Sequence, residues 1–597
     1  MGKRYSLAEV TEQLVAVAQG RQGAELVIQG GKWVNVNTGE IIENTDIAIT
    51  HGRIALVGDA SHTIGKNTKI IDAQGYYLTP GFMDGHIHVE SSMMTVTEYA
   101  RAVMPRGTTS IYMDPHEIAN VLGVKGVRVM MEDGQRVPLR VFVTMPSCVP
   151  ATPGFEDTGA EIHPEDIEEA MIWDGVAGLG EMMNFPGVLS GDMDVHQELQ
   201  ATLKANKTIT GHYSMPETGS GLNAYIAAGV RCCHESVRRE DALAKMRLGM
   251  YAQLREGSAW HDVEETIKSI TENRIDTRYA TLVSDDAHPS TLLSQGHLDH
   301  IVRRAIEEGV NPITAIQMVT INVAQCFNMD GDLGTISPGR FADILLLSDL
   351  TKVKVDKVII NGELVAEGGK VVVDLSRVSY PNFTKETMHL ARSLTPEDFS
   401  IEAPVGKTQE ISTRVMEIIE AKVGTYAREC ILPIQNQHVC IDINQDIIKV
   451  AVVERHKATG TMGKGFVKGF HLKEGAIAST VAHDAHNLLI IGTNDKDMAV
   501  AGNTLAKVGG GMVAVKDGEI IALLPLPIAG LMSEEPVEKL APLVEKVDEA
   551  WKRLGCDLVS PFMTMALLSL AVLPELRLTN RGLVDTVNFK MVNLFEK

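Results

Sequence analysis

The stretch "GFMDGHIHVE", residues 81–90, decides the fold, because it places two histidines one residue apart where a predicted strand ends. On a β-strand, residues i and i+2 point to the same side. His86 and His88 therefore present two imidazoles together, and such a pair can bind one metal ion. Two polar residues at a strand end are also ordinary, so the rest of the chain has to decide between these interpretations.

Length and composition narrow the classes of protein to which this chain can belong. The chain has 597 residues, 44% of them hydrophobic, and a formal net charge of -22. The length predicts two or three domains, and the negative charge argues against a surface for nucleic acid. Seven cysteines, an odd number, do not suggest a secreted disulfide framework. With neither a signal-peptide core nor an apolar run long enough to span a bilayer, we expect a cytoplasmic protein that does not associate with membranes.

The pattern of apolar and polar residues changes along the chain and predicts four segments. Residues 1–75 predict a short N-terminal helix followed by strands with alternating apolar and polar residues, and residues 333–375 show the same strand pattern. Between them, residues 76–332 alternate short apolar strands with helical stretches, which is typical of repeated βα units. Helical and strand-like stretches mix in residues 376–597, where we expect a separate C-terminal α+β domain.

Eight strand candidates occur in the middle segment. They cover residues 76–88, 108–115, 140–146, 175–183, 207–214, 229–235, 249–257 and 279–286. Eight such strands within about 250 residues are typical of a (β/α)8 barrel. An open doubly wound sheet can use the same units but rarely reaches eight with this regularity. We therefore predict an α/β fold, a TIM-like (β/α)8 barrel, with the flanking segments paired in a small composite β-sandwich.

Polar residues stand at the ends of these strands. In barrel enzymes the functional residues lie at the carboxyl ends of the strands. His86 and His88 end the first strand, and the fourth, fifth, sixth and eighth end in Glu181, His212, His234 and Asp285. Each alone is an ordinary hydrogen-bonding residue, but imidazoles and carboxylates together suit Zn, Mn or Fe. The sequence thus predicts a centre of two divalent metal ions bridged by a carboxylate and a water.

Two sets of motifs resemble a known family. "PGFMDGHIHVE", with the later His, His and Asp, resembles the amidohydrolase superfamily, and "DIAITHGRIALVG" and "GTISPGRFADILLL" resemble its composite β-sandwich. Many two-metal members carry a bridging carboxylated lysine on strand four, where this chain has Glu181. In this departure the chain is similar to the adenine deaminases. It also resembles them in three motifs, "DPHEIANVLG" (114–123), "GLGEMMNFPGV" (178–188) and "SDD" (284–286). The stretch 483–520 in the last segment resembles their C-terminal domain.

This resemblance implies hydrolysis of adenine to hypoxanthine and ammonia, with a metal-activated hydroxide attacking C6. It also favours Mn over Fe or Zn. We expect Asp285 to be both a metal ligand and the proton shuttle, with Asp286 behind it, although the sequence leaves the reverse assignment open. Glu117, just past strand two, is the candidate that contacts the purine and relays a proton to N1. Its alternative role is a helix-start carboxylate.

Weaker candidates surround these residues. His116 lies beside Glu117, and Ser91 and Ser92 follow the first strand in a position to bind substrate or simply to form a loop. In the last segment His483 and His486 have a spacing that binds metal on a helix, but a strand-like run follows them. Three glycines at 509–511 predict either a close approach to substrate or a tight turn. Whether this domain caps the active site or builds an oligomer stays open.

Other functions remain as alternatives. A hydantoinase-like or dihydroorotase-like amidohydrolase would act on a cyclic amide, but those enzymes usually carry the bridging lysine and lack the long C-terminal domain. A different aminated heterocycle could also be the substrate. A catalytically silent barrel that serves as a binding module would be expected to have lost ligands, whereas all six positions are filled here. A homodimer is the expected oligomer, because two-fold dimers are the commonest assemblies of soluble enzymes.

Overall fold

The computed structural model describes residues 3–420 and 422–595. Its first segment holds helix α1 (Leu7–Ala18), which begins after Ser6 with a capping box formed with Glu9. Strands β1 to β5 follow, at Leu26–Asn35, Glu40–Thr50, Arg53–Gly58, Lys69–Asp72 and Tyr77–Pro80. Val10, Leu14 and Val17 are buried along one face of α1, and this apolar stripe covers one side of the strands.

Eight parallel strands then form the barrel. They are β6 to β13, at Phe82–His88, Thr108–Met113, Arg140–Met145, Val176–Met182, Thr208–Gly211, Val230–Cys233, Tyr251–Arg255 and Ala280–Val283. A two-residue strand, β14 (Asp285–Asp286), continues the eighth and pairs in parallel with β6, which brings the first and last strands together. The eight predicted strands are the eight observed ones, and the predicted barrel fold is confirmed.

Helices follow the barrel strands, and the longer ones pack against the outside of the barrel. They are α2 to α15, at Val96–Val103, His116–Leu122, Val124–Gly134, Pro164–Ala170, Phe185–Ser190, Met193–Lys204, Ser220–Ala227, Arg239–Arg247, Val263–Thr266, Lys268–Thr271, Pro289–Ser294, Leu298–Glu307, Pro312–Gln317 and Ile321–Cys326. The strands are almost entirely buried because helices cover one face and the barrel interior covers the other. This enclosure explains why they read as apolar runs rather than as alternating patterns.

The two flanking segments meet in one mixed sheet of nine strands. Strands β15 to β18 lie at Ile344–Asp349, Lys354–Ile360, Glu363–Glu367 and Lys370–Val371. Strand β15 pairs antiparallel with β5, so the second segment completes the sheet begun by the first. Ile28 and Ile49 from the first segment share a buried core with Ile344 and Leu346 from the second. Neither segment could bury this apolar surface alone.

The C-terminal domain is built on a second mixed sheet. Strands β19 to β27 lie at Glu410–Ile418, Thr425–Gln435, His438–Val439, Ile447–Val453, Met462–Lys468, Ala476–Ser479, Leu488–Gly492, Gly511–Lys516 and Glu519–Pro525. Three further strands, β28 to β30, form a small antiparallel sheet at Leu576–Thr579, Gly582–Asp585 and Lys590–Val592. The helices are α16 (Asp495–Val508), α17 (Val537–Arg553) and α18 (Pro561–Ala566). This mixture is the α+β character predicted from the sequence.

Apolar packing joins the C-terminal domain to the barrel. Met93 and Leu292 of the barrel segment belong to the same continuous buried cluster as Leu531, Leu540 and Met565 of the C-terminal domain. The turn after β6 and helix α12 are thereby held against helices α17 and α18 and the loop after β27. Among the described residues, no helix combines the length and apolar character that a membrane crossing requires.

A buried ion pair ties the barrel to the flanking sheet. Arg140, the first residue of β8, donates two hydrogen bonds to Asp343, at 2.6 Å from Nε and 3.1 Å from Nη2. Both side chains are buried, and the guanidinium also lies 3.9 Å from the ring centroid of Phe341. Asp343 immediately precedes β15, so the pair fixes the barrel against the start of the returning strand.

We predict that Arg140→Met destabilises the protein by about 3–5 kcal/mol, because it leaves the Asp343 carboxylate buried without its partner. The measurement is the midpoint of urea unfolding followed by circular dichroism. Arg278→Met is the control, since Arg278 pairs with Asp276 at an exposed position and such pairs contribute at most about 1 kcal/mol. Equal shifts of the two midpoints would contradict the role assigned to the buried pair.

Candidate metal centre and active site

Five strand ends bring the six predicted ligands to one end of the barrel. His86 and His88 end β6, Glu181 lies in β9, and Asp285 lies in β14. The residues that directly follow β10 and β11 are His212 and His234. All are buried except His212, which is partly exposed. The structure therefore places the whole predicted set together.

Three of these side chains form a compact group around Asp285. The Nε2 atoms of His86 and His88 lie 3.1 Å apart, and Asp285 Oδ1 lies 3.2 Å from each of them. Two imidazole nitrogens and a carboxylate oxygen converge on one point. Such a donor set is complementary to a divalent cation.

Glu181 connects this group to a second one. Its Oε1 lies 3.3 Å from His88 Nε2, while its Oε2 lies 2.5 Å from His212 Nδ1 and 3.2 Å from His234 Nε2. The rings of His86 and His234 stack with their centroids 3.9 Å apart. The two oxygens of one carboxylate therefore face different histidines, which is the geometry that a bridging ligand needs.

Contacts behind the donor atoms orient them. His88 Nδ1 lies 2.9 Å from the carbonyl oxygen of Asp114, so this nitrogen donates and leaves the lone pair of Nε2 for the centre. The Asp114 carboxylate accepts the backbone N–H of Glu181 at 2.7 Å. One residue after β7 thus positions ligands on two other strands. The lone pairs of the buried imidazole nitrogens and carboxylate oxygens therefore face one another. This arrangement fits a bound cation.

Asp285 is held from its other side by Arg255, the last residue of β12. Arg255 Nη1 donates to Asp285 Oδ2 at 2.9 Å and to Glu235 at 2.6 Å. Burial works to raise the pKa of Asp285, but His234, His86, His88 and Arg255 hold that pKa well below its usual value. The backbone of Asp285 has a φ of 62°, a left-handed conformation that non-glycine residues rarely adopt. These contacts fix an ionised carboxylate with one oxygen directed at the histidines.

The neighbouring Asp286 has a different environment. It lines the cavity beside the centre, but it does not join the group of donor atoms that contains Asp285. Burial and the charge of Asp285 raise the pKa of Asp286 to about 6. Of the two carboxylates whose order the sequence left open, Asp285 is the one in contact with the histidines.

Residues of the C-terminal domain enter the same cavity. Glu117 on α3 has Oε1 at 2.9 Å from His483 Nδ1, and its Oε2 contacts His486 Nε2. His116 lies 3.2 Å from Glu181, with Asp484 on its other side at 3.8 Å. The cavity over the metal centre is lined on its roof by Met563, Leu567 and Leu570, which belong to α18 and the turn after it. The C-terminal domain therefore covers the active-site end of the barrel.

The remaining weak candidates have local structural contacts. Ser91 donates to the carbonyl oxygen of His88 at 2.7 Å, and Ser92 donates to that of Val89 at 2.6 Å. Gly509 ends α16 with a left-handed φ of 84°, a conformation that favours glycine. The tight-turn interpretation of the glycine run agrees with this position.

Arg255, Asp114 and Asp484 were not among the predicted site residues. Arg255 and Asp114 stand at or just past the ends of β12 and β7, so the rule used for the histidines would have found them. Asp484 carries no such signal, because it comes from another domain. The His483 spacing was visible in the sequence, but only the packing of the C-terminal domain brings it to Glu117.

A barrel with imidazole and carboxylate donors at its strand ends, completed by a sheet from both flanking segments, defines a metal-dependent amidohydrolase. A model of the amidohydrolase family matches residues 77–365, and a model of the adenine deaminase C-terminal domain matches residues 422–590. The chain belongs to the adenine deaminase family.

Curated relatives match nearly the whole chain. It is 62% identical to an adenine deaminase of Clostridium botulinum (strain ATCC 19397 / Type A), over 99% of this chain and 98% of that protein. It is 63% identical to an adenine deaminase of Moorella thermoacetica, over 99% of both chains. A solved beta-aspartyl dipeptidase from Fervidobacterium islandicum AW-1 is 17% identical, with a TM-score of 0.46, and covers 58% of this chain and 98% of its own.

We predict that Glu181→Gln weakens the binding of divalent metal by at least about tenfold, because the amide removes the charge that both groups of histidines face. The measurement is metal content after dialysis, determined by inductively coupled plasma mass spectrometry. Glu165→Gln, an exposed residue on α5, serves as the matched control. Wild-type metal content in Glu181→Gln would rule out the bridging role.

Proposed function

We propose that this chain catalyses the hydrolytic deamination of adenine to hypoxanthine and ammonia. The identity to adenine deaminases carries the proposal, because it extends over 99% of the chain and includes both the barrel and the C-terminal domain that covers it. The buried imidazole and carboxylate donors at the barrel end support a hydrolytic reaction that depends on a divalent metal.

Two divalent ions per chain are the proposed cofactors, held by His86, His88, Glu181, His212, His234 and Asp285. Each group of donors includes two histidines and a carboxylate, and Glu181 lies between the groups. Such ligands without cysteine suit Mn, Fe and Zn, and the likeness to adenine deaminases favours Mn. A bound divalent ion lowers the pKa of coordinated water and so supplies hydroxide at neutral pH.

The overall reaction requires two proton transfers within the site. Water contributes its oxygen to C6, one of its protons to N1, and the other to the departing amine. Asp285 is the proposed shuttle to the amine, because its pKa is low and one of its oxygens faces the centre. Arg255 keeps this carboxylate in place while it gains and loses a proton.

Glu117 is the proposed relay to N1. Its carboxylate lines the cavity next to the metal centre and is paired with His483. Burial works to lower the pKa of His483, but the adjacent Glu117 and Asp484 raise that pKa well above its usual value. The His483 imidazole therefore stays protonated near neutral pH beside an ionised Glu117, so the pair holds one proton next to the place where the ring nitrogen must be protonated.

The remaining features of the proposal concern the protein as a whole. A net charge of -22 supports a protein that does not bind nucleic acid or anionic membrane surfaces. We also propose a cytoplasmic location, and a homodimer as the assembly. Size-exclusion chromatography with light scattering tests the homodimer directly.

The purified protein reconstituted with Mn should release ammonia from adenine and not from adenosine or dihydroorotate. An aminated ring releases ammonia when it is hydrolysed, whereas opening of a cyclic amide does not. A coupled glutamate dehydrogenase assay measures the ammonia, and metal-free protein is the control. Ring opening of dihydroorotate without turnover of adenine would replace the proposal with the cyclic-amide alternative.

We predict that Glu117→Gln lowers kcat for adenine by about 10²- to 10⁴-fold, which is the usual contribution of a positioned acid or base. The amide keeps the size of the side chain but can no longer exchange a proton. Steady-state kinetics and metal content are measured on the same preparation. An unchanged kcat would remove Glu117 from the mechanism, and lost metal would assign it to the metal centre instead.

A further inference from the structure

We propose that His486 of the C-terminal domain is a positioning residue for Glu117, so that this domain completes the active site as well as covering it. The inference rests on the proposed function, because it concerns the relay assigned to Glu117 in the deamination of adenine.

The contacts of Glu117 come largely from the other domain. Its Oε1 lies 2.9 Å from His483 Nδ1 and its Oε2 contacts His486 Nε2, so each carboxylate oxygen faces a different imidazole. The Glu117 side chain is almost fully buried, and the exposed fraction of His486 is 0%. With both oxygens engaged and no access to bulk water, the carboxylate has one defined orientation.

The contact made by Nδ1 of His486 shows which ring nitrogen carries the proton. The backbone N–H of Ala482 donates to His486 Nδ1 at 3.1 Å, so Nδ1 is an acceptor. The proton of the neutral ring is then on Nε2, the atom that faces Glu117. A protonated Nε2 has no lone pair for a metal ion. This argues against a third metal site among Glu117, His483 and His486 and in favour of a hydrogen bond that orients the carboxylate.

His486 is itself held in place by a buried arginine. The side chain of Arg455 donates from Nε to the carbonyl oxygen of His486, and its other nitrogens donate to the carbonyl oxygens of Thr387 and Ala529 at 3.0 Å and 2.8 Å. Arg455 is completely buried. The loop that carries His486 therefore rests on the core of the C-terminal domain, and its imidazole offers Glu117 a rigid partner.

The need for such a partner lies in the surrounding charges. The buried Glu90 carboxylate accepts the backbone N–H of Ile118, the residue after Glu117, at 3.1 Å, and Glu90 and Glu117 line one cavity. Asp286 and Asp484 line the cavity over the metal centre, which Glu117 also lines. Without imidazole donors the Glu117 carboxylate would be repelled from this cluster. If the Glu117 carboxylate turned away from the substrate, it would no longer be oriented for proton transfer, and the rate of deamination would fall.

Two amide variants separate positioning from a general structural role. In His486→Gln the amide extends to the place of Nε2 and can donate to Glu117. In His486→Asn it occupies the place of Nδ1 and does not reach the carboxylate. We expect His486→Asn to lower kcat for adenine by about 10- to 100-fold with a smaller change in KM, and His486→Gln to retain most of kcat. His471→Gln, at an exposed position of the same domain, is the control for mutation of a histidine.

A double-mutant cycle with Glu117→Gln completes the test. If His486 acts through Glu117, His486→Asn should cause little further loss of kcat in the Glu117→Gln background. Equal activity of the Asn and Gln variants, or the same loss in both backgrounds, would overturn the positioning role. Metal content and thermal midpoints are recorded for every variant, and loss of metal in His486→Asn alone would also overturn it.

Wild-type protein is assayed first in the same experiment. Turnover of adenine by the wild type with no difference among the His486 variants contradicts only this inference. No turnover of adenine by the metal-loaded wild type contradicts the proposed function, and the inference fails with it.

Discussion

The rest of the site depends on the contacts that the Glu181 carboxylate makes with histidines from several strands. One of its oxygens faces His88 from the first barrel strand and the other faces His212 and His234. No local segment could assemble these groups, because they come from four different strands. Closure of the barrel through the pairing of β14 with β6 sets the strand ends at fixed distances. Carboxylate and imidazole donors can then share a cation rather than repel one another.

The surrounding structure maintains this arrangement. Asp114 orients His88 and the backbone of Glu181, while Arg255 holds Asp285. Outside the barrel, the pair of Arg140 and Asp343 attaches the sheet formed by the two flanking segments. Each of these contacts is buried, where a polar group without a partner would destabilise the protein. Each contact stabilises the site because its polar groups have partners. The C-terminal domain adds an apolar roof and the imidazoles around Glu117.

The family assignment and the geometry agree on the type of chemistry. Family membership points to deamination of a purine, and the site offers a metal centre with one ionised carboxylate on it and a second carboxylate across the cavity. Hydrolysis at C6 needs an activated water and two proton transfers, and the proposed mechanism assigns these tasks to the metal centre and the two carboxylates. In the proposed centre, Glu181 takes the position where related amidohydrolases use a modified lysine, so all the proposed ligands are unmodified side chains.

The sequence by itself determined the barrel, its eight strands and the donors at their ends. Strand periodicity is local, and in a barrel the carboxyl ends of all strands meet at one face, so His86, His88 and Glu181 could be placed without further information. Only the tertiary structure decided that His483, Asp484 and His486 lie against Glu117 and His116. Those contacts depend on how two domains pack, which is set by the total buried apolar surface rather than by any local pattern.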